Sequence, residues 1–306
     1  MQIIANNIQI EVEDSALNAV PVAAPDAAHR PVVVLIMGLG MQLIAWPPGF
    51  VRALINAGFR VIRFDNRDSG LSHRFDHLGV PNLMWQGLKY KLGLSIKPPY
   101  TLSDMAWDAV GVLDALAINK AHIVGVSMGG MVAQRVALEA PARVLSLTSI
   151  MSSTGAQGLP GSIPAVTRQL LSRPAAQGKQ AAIDHSVKLF QAIGSPGFPM
   201  DEAFLRERVT VAYERSFNPG GVVRQILAIA ADSARAGKLA SITTPTLVLH
   251  GLADPLVPFA CGQDTAKRIA GARLAGIDGM GHDLPPGVVA QLLTHLIPHL
   301  ADNTRL

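Results

Sequence analysis

The chain has 306 residues, 49% of them hydrophobic and 16% charged, with a formal net charge of only +4. That balance can bury a large core, alternating strand and helix patterns argue one α/β domain with an insertion, and basic residues scattered without aromatic interleaving argue against a nucleic-acid surface. The single cysteine, Cys261, excludes an internal disulfide and fits a reducing compartment, so a cytoplasmic protein is expected.

In chain order, Met1 to Asn7 lacks a basic segment followed by an apolar one, so no signal peptide is expected. Residues 1 to 14 read as an edge hairpin, and Val20 to His29 as a turn rich in Ala and Pro. Pro31 to Met37 is an apolar, β-branched run suited to a strand buried on both faces, and it ends in Gly38-Leu39-Gly40-Met41. The apolar stretch from Val32 to Trp46 is too short and too broken by glycine to span a bilayer. Arg60 to Asp65 predicts the next parallel strand, and in the turn from Asn66 to Ser72 the charges of Asp65, Arg67 and Asp68 read as turn-stabilising pairs. Residues 73 to 100 depart from the strand-helix alternation and carry Met84, Trp85, Tyr90 and Leu92 among turn residues. Asp104 to Leu116 predicts an amphipathic helix with Thr101 and Ser103 as cap candidates.

Ala121 to Val124 reads as a buried strand and Met131 to Glu139 as a helix, and between them lies Gly125-Val126-Ser127-Met128-Gly129. A serine on so sharp a strand-to-helix turn crowds its own backbone, and the glycines at both flanks, with Gly130, leave room where a Cβ would collide. Residues 153 to 240 form a long, largely helical stretch punctuated by Pro and Gly before the strand at Thr246 resumes the alternation. Its Leu170, Leu171, Leu189, Phe190, Phe198, Phe204 and Tyr213 are candidates for a lid that shapes a pocket and excludes water. The domain reading is a core of residues 1–152, a helical cap insertion of residues 153–240, and a second part of the core at residues 241–306.

A serine hydroxyl needs a histidine base, itself oriented by a carboxylate. Downstream, Gly279-Met280-Gly281-His282-Asp283 places His282 in a glycine-rich loop, and Thr246 to Pro258 supplies a strand, a turn and Asp254 held between turn-formers. His29, His73, His77 and His122 precede or lead into the serine turn, while His185, His295 and His299 fall in helical patterns or near the chain end. His250 ends a strand and reads as a packed group. Asp278 and Asp283 are too close in sequence to His282 to face its Nδ1, and Ser149 to Thr154 offers no carboxylate, which leaves Asp254. The oxyanion needs two backbone N–H donors. Met128, following the serine at a helix N-terminus, is one, and Leu39 the other, with Gly40 as fallback.

The order Ser, Asp, His along the chain resembles that of α/β-hydrolases. With Met37-Gly38-Leu39-Gly40, Phe64 to Ser72, the serine turn, Pro245 to Asp254 and Gly281-His282, the chain is similar to the bacterial carboxylesterases that include the aclacinomycin methylesterase type. Many relatives carry His-Gly where this chain has Met37-Gly38, and that histidine is usually structural. The resemblance implies an α/β fold with a mostly parallel central sheet flanked by helices and a helical cap. It also implies a serine carboxylic-ester hydrolase with catalytic Ser127, Asp254 and His282, an oxyanion hole of the Leu39 and Met128 amides, and a small-molecule ester as substrate. No metal or organic cofactor is expected, since no His/Cys/Asp cluster has ligand spacing. Dehalogenase or epoxide-hydrolase chemistry requires an aspartate where Ser127 stands. A serine acyltransferase, thioesterase or amide hydrolase is compatible with the same residues, and a non-catalytic ligand-binding protein is the remaining class.

Overall fold

The computed structural model describes residues 1–17, 29–92, 94–172, 174 and 176–304. The turn expected from Val20 to His29 lies, through residue 28, outside the described residues. Among the described residues eight strands form one sheet: β1 (Gln2–Ala5), β2 (Ile8–Asp14), β3 (Val32–Ile36), β4 (Arg60–Phe64), β5 (Ala121–Val126), β6 (Val144–Ile150), β7 (Thr246–Gly251) and β8 (Arg273–Ile277). Their spatial order is β1-β2-β4-β3-β5-β6-β7-β8. The expected edge hairpin is β1 and β2, which run antiparallel, and β2 also meets β4 antiparallel. From β4 to β8 every pairing is parallel.

Among the described residues ten α-helices accompany the sheet: α1 (Pro48–Asn56), α2 (Leu83–Lys91), α3 (Leu102–Ala115), α4 (Met128–Glu139), α5 (Pro164–Leu171), α6 (Lys179–Ile193), α7 (Glu202–Arg215), α8 (Pro219–Ala230), α9 (Phe259–Arg268) and α10 (Pro286–Asp302). β3 shows why its sequence is apolar throughout. Val32, Val34 and Ile36 point into a core shared with Met105 and Leu113 of α3 and Val132 and Val136 of α4. Val33 and Leu35 point the other way, into a core shared with Phe50 and Leu54 of α1 and Leu292 and Leu296 of α10. The pleat alternates side chains between faces, so a strand covered on both sides has no polar position to spare. At the start of α3 the Thr101 hydroxyl accepts from the Asp104 N–H while the Asp104 carboxylate accepts from the Thr101 N–H. This reciprocal cap satisfies two otherwise orphaned donors. Ser103 has a different use, donating to Glu139 of α4 at 2.7 Å.

Helices α5 to α8 occupy the connection between β6 and β7. Ile183 and Val187 of α6 and Leu205 and Val209 of α7 form a small apolar cluster separate from the two sheet cores. Phe190, Met200 and Tyr213 pack against it. No described helix is long and apolar enough to cross a membrane.

Candidate active site

β5 hands the chain to α4 through Ser127, which has φ +56°. Non-glycine residues rarely occupy that region, and a serine held there is over-determined by its surroundings. Four bonds hold its backbone: the Ser127 N–H donates to Ile150 O at 2.9 Å, and its carbonyl accepts from Ser152 Oγ at 2.7 Å and from the Gly130 and Met131 N–H groups at 2.9 and 3.3 Å. The flanking glycines are required by close approach. A Cβ on Gly125 would sit 2.0 Å from Gly129 O, and one on Gly129 would sit 2.1 Å from Ile36 O.

The structure brings Ser127, His282 and Asp254 together, 155 and 28 residues apart in sequence. His282 Nε2 lies 2.9 Å from Ser127 Oγ, and His282 Nδ1 lies 2.7 Å from Asp254 Oδ2. The other oxygen of Asp254, Oδ1, accepts from the N–H groups of Leu256 and Val257 at 2.9 and 2.8 Å. A carboxylate tied down in this way presents one oxygen in one direction, and the imidazole Nδ1 must carry its proton to bond it. That leaves Nε2 bare toward the serine hydroxyl.

Competing groups are turned to other partners. His250 is fully buried, and its Nε2 lies 2.7 Å from Val257 O, which only accepts, so that nitrogen carries the proton. Burial outweighs the Val257 carbonyl and the Asp254 carboxylate 3.7 Å away and holds His250 below the usual histidine range, its ring packed against Gly262. Asp283 accepts from the Ser195 hydroxyl, and burial pushes its carboxyl above the ordinary range. The same Ser195 Oγ accepts from the Gly281 N–H at 2.8 Å, and the His282 N–H donates to Ile193 O at 2.7 Å. The end of α6 therefore braces the histidine loop, a contact that no local pattern in the sequence announces.

The loop after β3 approaches the same serine. A Cβ on Gly38 would lie 3.2 Å from Ser127 Cβ. Gly38 O accepts from the Met41 N–H at 3.1 Å, closing a turn over residues 38–41. Among the described residues neither the Leu39 nor the Met128 N–H is taken by an acceptor. Gly40 differs: its N–H donates to Gln225 Oε1 at 2.8 Å, which removes the fallback donor from consideration. Met37 is buried in the core beside α1 and α10.

The charged turn after β4 is structural, but its ion pairs are not made within it. Arg67 forms a two-pronged pair with Asp108 of α3 at 2.6 and 2.7 Å. Asp65 accepts from the Leu43 and Leu71 N–H groups and pairs with Arg215 of α7 at 2.7 Å; burial raises its carboxyl despite those donors. Asp68 pairs with Arg224 of α8, both buried, with two bonds of 2.7 Å. Burial opposes its ionisation, but the Arg224 guanidinium and the Phe75 and Tyr100 donors outweigh it and hold the carboxyl below the ordinary range.

Of the lid candidates, Phe198 packs onto the first turn of α10, its ring standing where a Gly287 side chain would be. Phe204 is exposed beside Arg208, and Tyr213 stacks on Phe217 with centroids 4.6 Å apart. Met84, Trp85 and Leu92 are exposed on and after α2, while the side chains of Tyr90 and Leu171 lie outside the described residues.

Residues 31–285 match the family described as "alpha/beta hydrolase fold". The chain is 30% identical over 293 residues to rhodomycin D methylesterase DauP of Streptomyces sp. (strain C5), covering 90% of this chain and 92% of that one. It is 29% identical over 293 residues to rhodomycin D methylesterase DnrP of Streptomyces peucetius, with the same coverage. The fold is similar to that of an enol-lactonase from Burkholderia xenovorans LB400, with a TM-score of 0.69, 22% identity and coverage of 98% of this chain and 100% of that one. With an eight-stranded, mostly parallel sheet, a serine at the β5–α4 turn and sequence relatives that match over about nine-tenths of both chains, the chain belongs to the α/β-hydrolase family and is a hydrolase.

Proposed function

We propose that the chain is a serine carboxylic-ester hydrolase working through an acyl-enzyme. The observation that carries this reading is the hydrogen-bonded line Ser127 Oγ, His282, Asp254, with the nucleophile on a strained turn at a helix N-terminus. Ser127 Oγ attacks the ester carbonyl carbon as His282 Nε2 takes its proton. Asp254 holds the Nδ1 proton in place and stabilises the imidazolium. The Leu39 and Met128 amides receive the oxyanion, and the α4 dipole adds to them. Collapse expels the alkoxide, which takes the proton from His282. A water deprotonated by the same nitrogen then attacks the acyl-enzyme and frees the acid and Ser127. These steps need nothing beyond this chain and water.

The likeness to two methylesterases supports a methyl carboxylate ester of a larger acid as the substrate class. Residues 153–240 serve in this reading as the cap, supported by their own apolar cluster and by the α6 end that braces the His282 loop. The test compares initial rates on matched methyl ester, thioester and carboxamide derivatives of aromatic acids, with and without an added acceptor alcohol. The methyl ester should be turned over fastest, with free acid as product. Faster turnover of the carboxamide or thioester, or transfer to the alcohol in place of hydrolysis, would overturn the assignment in favour of the corresponding alternative.

A further inference from the structure

One buried side chain on α8 reaches the loop that follows β3. Gln225 Oε1 accepts from the Gly40 N–H at 2.8 Å, and its Nε2 donates to Arg67 O at 2.8 Å and Ser69 Oγ at 3.0 Å. The partners decide which end of the amide is which, because an N–H only donates and a carbonyl only accepts. Turning the amide over would break the bonds to Gly40 and Arg67. α8 itself is fixed at this spot by Arg224 on Asp68 and by Gly221, where a Cβ would sit 2.5 Å from Asp68 O. It also closes over the turn: Gly40, with φ +65°, has no room for a Cβ, which would lie 2.8 Å from Val222 Cγ2.

Gln225 thus grips the peptide next to a proposed oxyanion donor. In a trans peptide the N–H points opposite to the carbonyl on the same unit. With Gly38 O held by the Met41 N–H at 3.1 Å, the Leu39 N–H must point out of the 38–41 turn on the opposite side. The remaining freedom of the turn lies at its Leu39–Gly40 peptide, and Gln225 takes that N–H. Donors stabilise a developing oxyanion only when they are aimed in advance, and looseness near 1 Å forfeits much of the effect.

We propose that Gln225 is a positioning residue that keeps the Leu39 amide aimed at the Ser127 turn, so that α8 controls the rate of the chemical step. The inference rests on the serine-hydrolase reading. Its test uses the full-length chain with Gln225→Met, which keeps the length of the side chain and removes its acceptor and donor, and Gln225→Glu, which keeps an oxygen to accept from Gly40. Gln225→Met should lower kcat about 10- to 100-fold, less than the loss of an oxyanion donor itself, with KM within about twofold. The inhibition constant of a trifluoromethyl ketone, whose adduct carries the same oxyanion, should rise by a similar factor. Gln225→Glu should recover only part of the loss, because its second oxygen faces Arg67 O, which only accepts. A residue with only a packing role would change the folded fraction or the melting temperature without moving the ketone affinity of the folded enzyme. If Gln225→Met does not fold, Ser69→Ala, which frees one bond of the Nε2 end, should show a smaller fall in kcat with the same parallel change in ketone affinity.

An unchanged kcat and ketone affinity in an active parent overturns the inference and leaves the hydrolase reading standing. A parent that neither hydrolyses esters nor labels at Ser127 overturns both.

Discussion

Replacing Arg224 with methionine removes the cation from a pair in which both side chains are fully buried. Asp68 would keep the Tyr100 hydroxyl at 2.8 Å and the Phe75 N–H at 2.9 Å, and would lose both guanidinium bonds. Arg224 would also release Gly79 O and Asp76. Breaking one side of a buried ion pair destabilises by about 3–5 kcal/mol, and the surviving donors, with Asn218 Nδ2 at 3.4 Å beside Tyr100 and Phe75, put the expected loss at the lower end, about 3 kcal/mol at pH 7. The sign of the pH dependence follows from Asp68. In the parent its folded-state pKa lies below the ordinary carboxylate value, so its ionisation stabilises at every pH above the unfolded value and is lost only as pH falls through the folded one. Without Arg224 burial is no longer outweighed, the folded pKa rises above the unfolded value, and the penalty shrinks as the carboxyl protonates. The stability gap between variant and parent should therefore narrow from pH 7 to pH 5. Urea unfolding followed by tryptophan fluorescence at the two pH values measures it, with hydrogen exchange of α8 amides to separate local opening from global unfolding. The double variant Arg224→Met with Asp68→Asn should regain much of the loss. A loss under about 1 kcal/mol, or a gap that does not narrow on acidification, would refute the reasoning, because a desolvated carboxylate without its cation must show both.

Asp254→Asn should lower kcat about 10⁴-fold by presenting the wrong tautomer to the serine, whereas Asp283→Asn, whose parent side chain is bound to Ser195, should change kcat less than tenfold. Steady-state kinetics on one ester checks both, and equal losses would mean that the acid has been misassigned. Gly129→Ala drives a methyl group to 2.1 Å from Ile36 O and 2.7 Å from Met37 O, both backbone atoms, and should destabilise by at least about 3 kcal/mol, the upper range for overpacking. A parent-like thermal melt would show that the β5–α4 turn has more freedom than its contacts allow.

Local patterns carried the strands and the serine turn well because their causes are local. An uninterrupted β-branched run such as Val32–Ile36 marks burial on both faces, and Gly125 is needed by an approach of 2.0 Å to Gly129 O within its own turn. His282 was legible through its glycine loop and Asp254 through its turn. The long-range partners were not. Asp68 and Arg224 are 156 residues apart, Asp65 and Arg215 150, and Arg67 and Asp108 41. A pair of opposite charges carries no address in the sequence, so the turn after β4 looked self-contained. Gln225 and Ser195 were invisible for the same reason: an amide on one helix and a hydroxyl after another gain their meaning only from Gly40 and Gly281, to which the fold brings them. Apolar bulk in the sequence does not separate a ring packed on α10, as in Phe198, from one in the open, as in Phe204.

The most direct test of the account is covalent labelling of the intact chain with a fluorophosphonate, read by whole-protein and peptide mass. One adduct per chain on Ser127, with both labelling and ester turnover lost in Ser127→Ala, is the predicted result. Labelling at another residue, with ester turnover retained in Ser127→Ala, would contradict it.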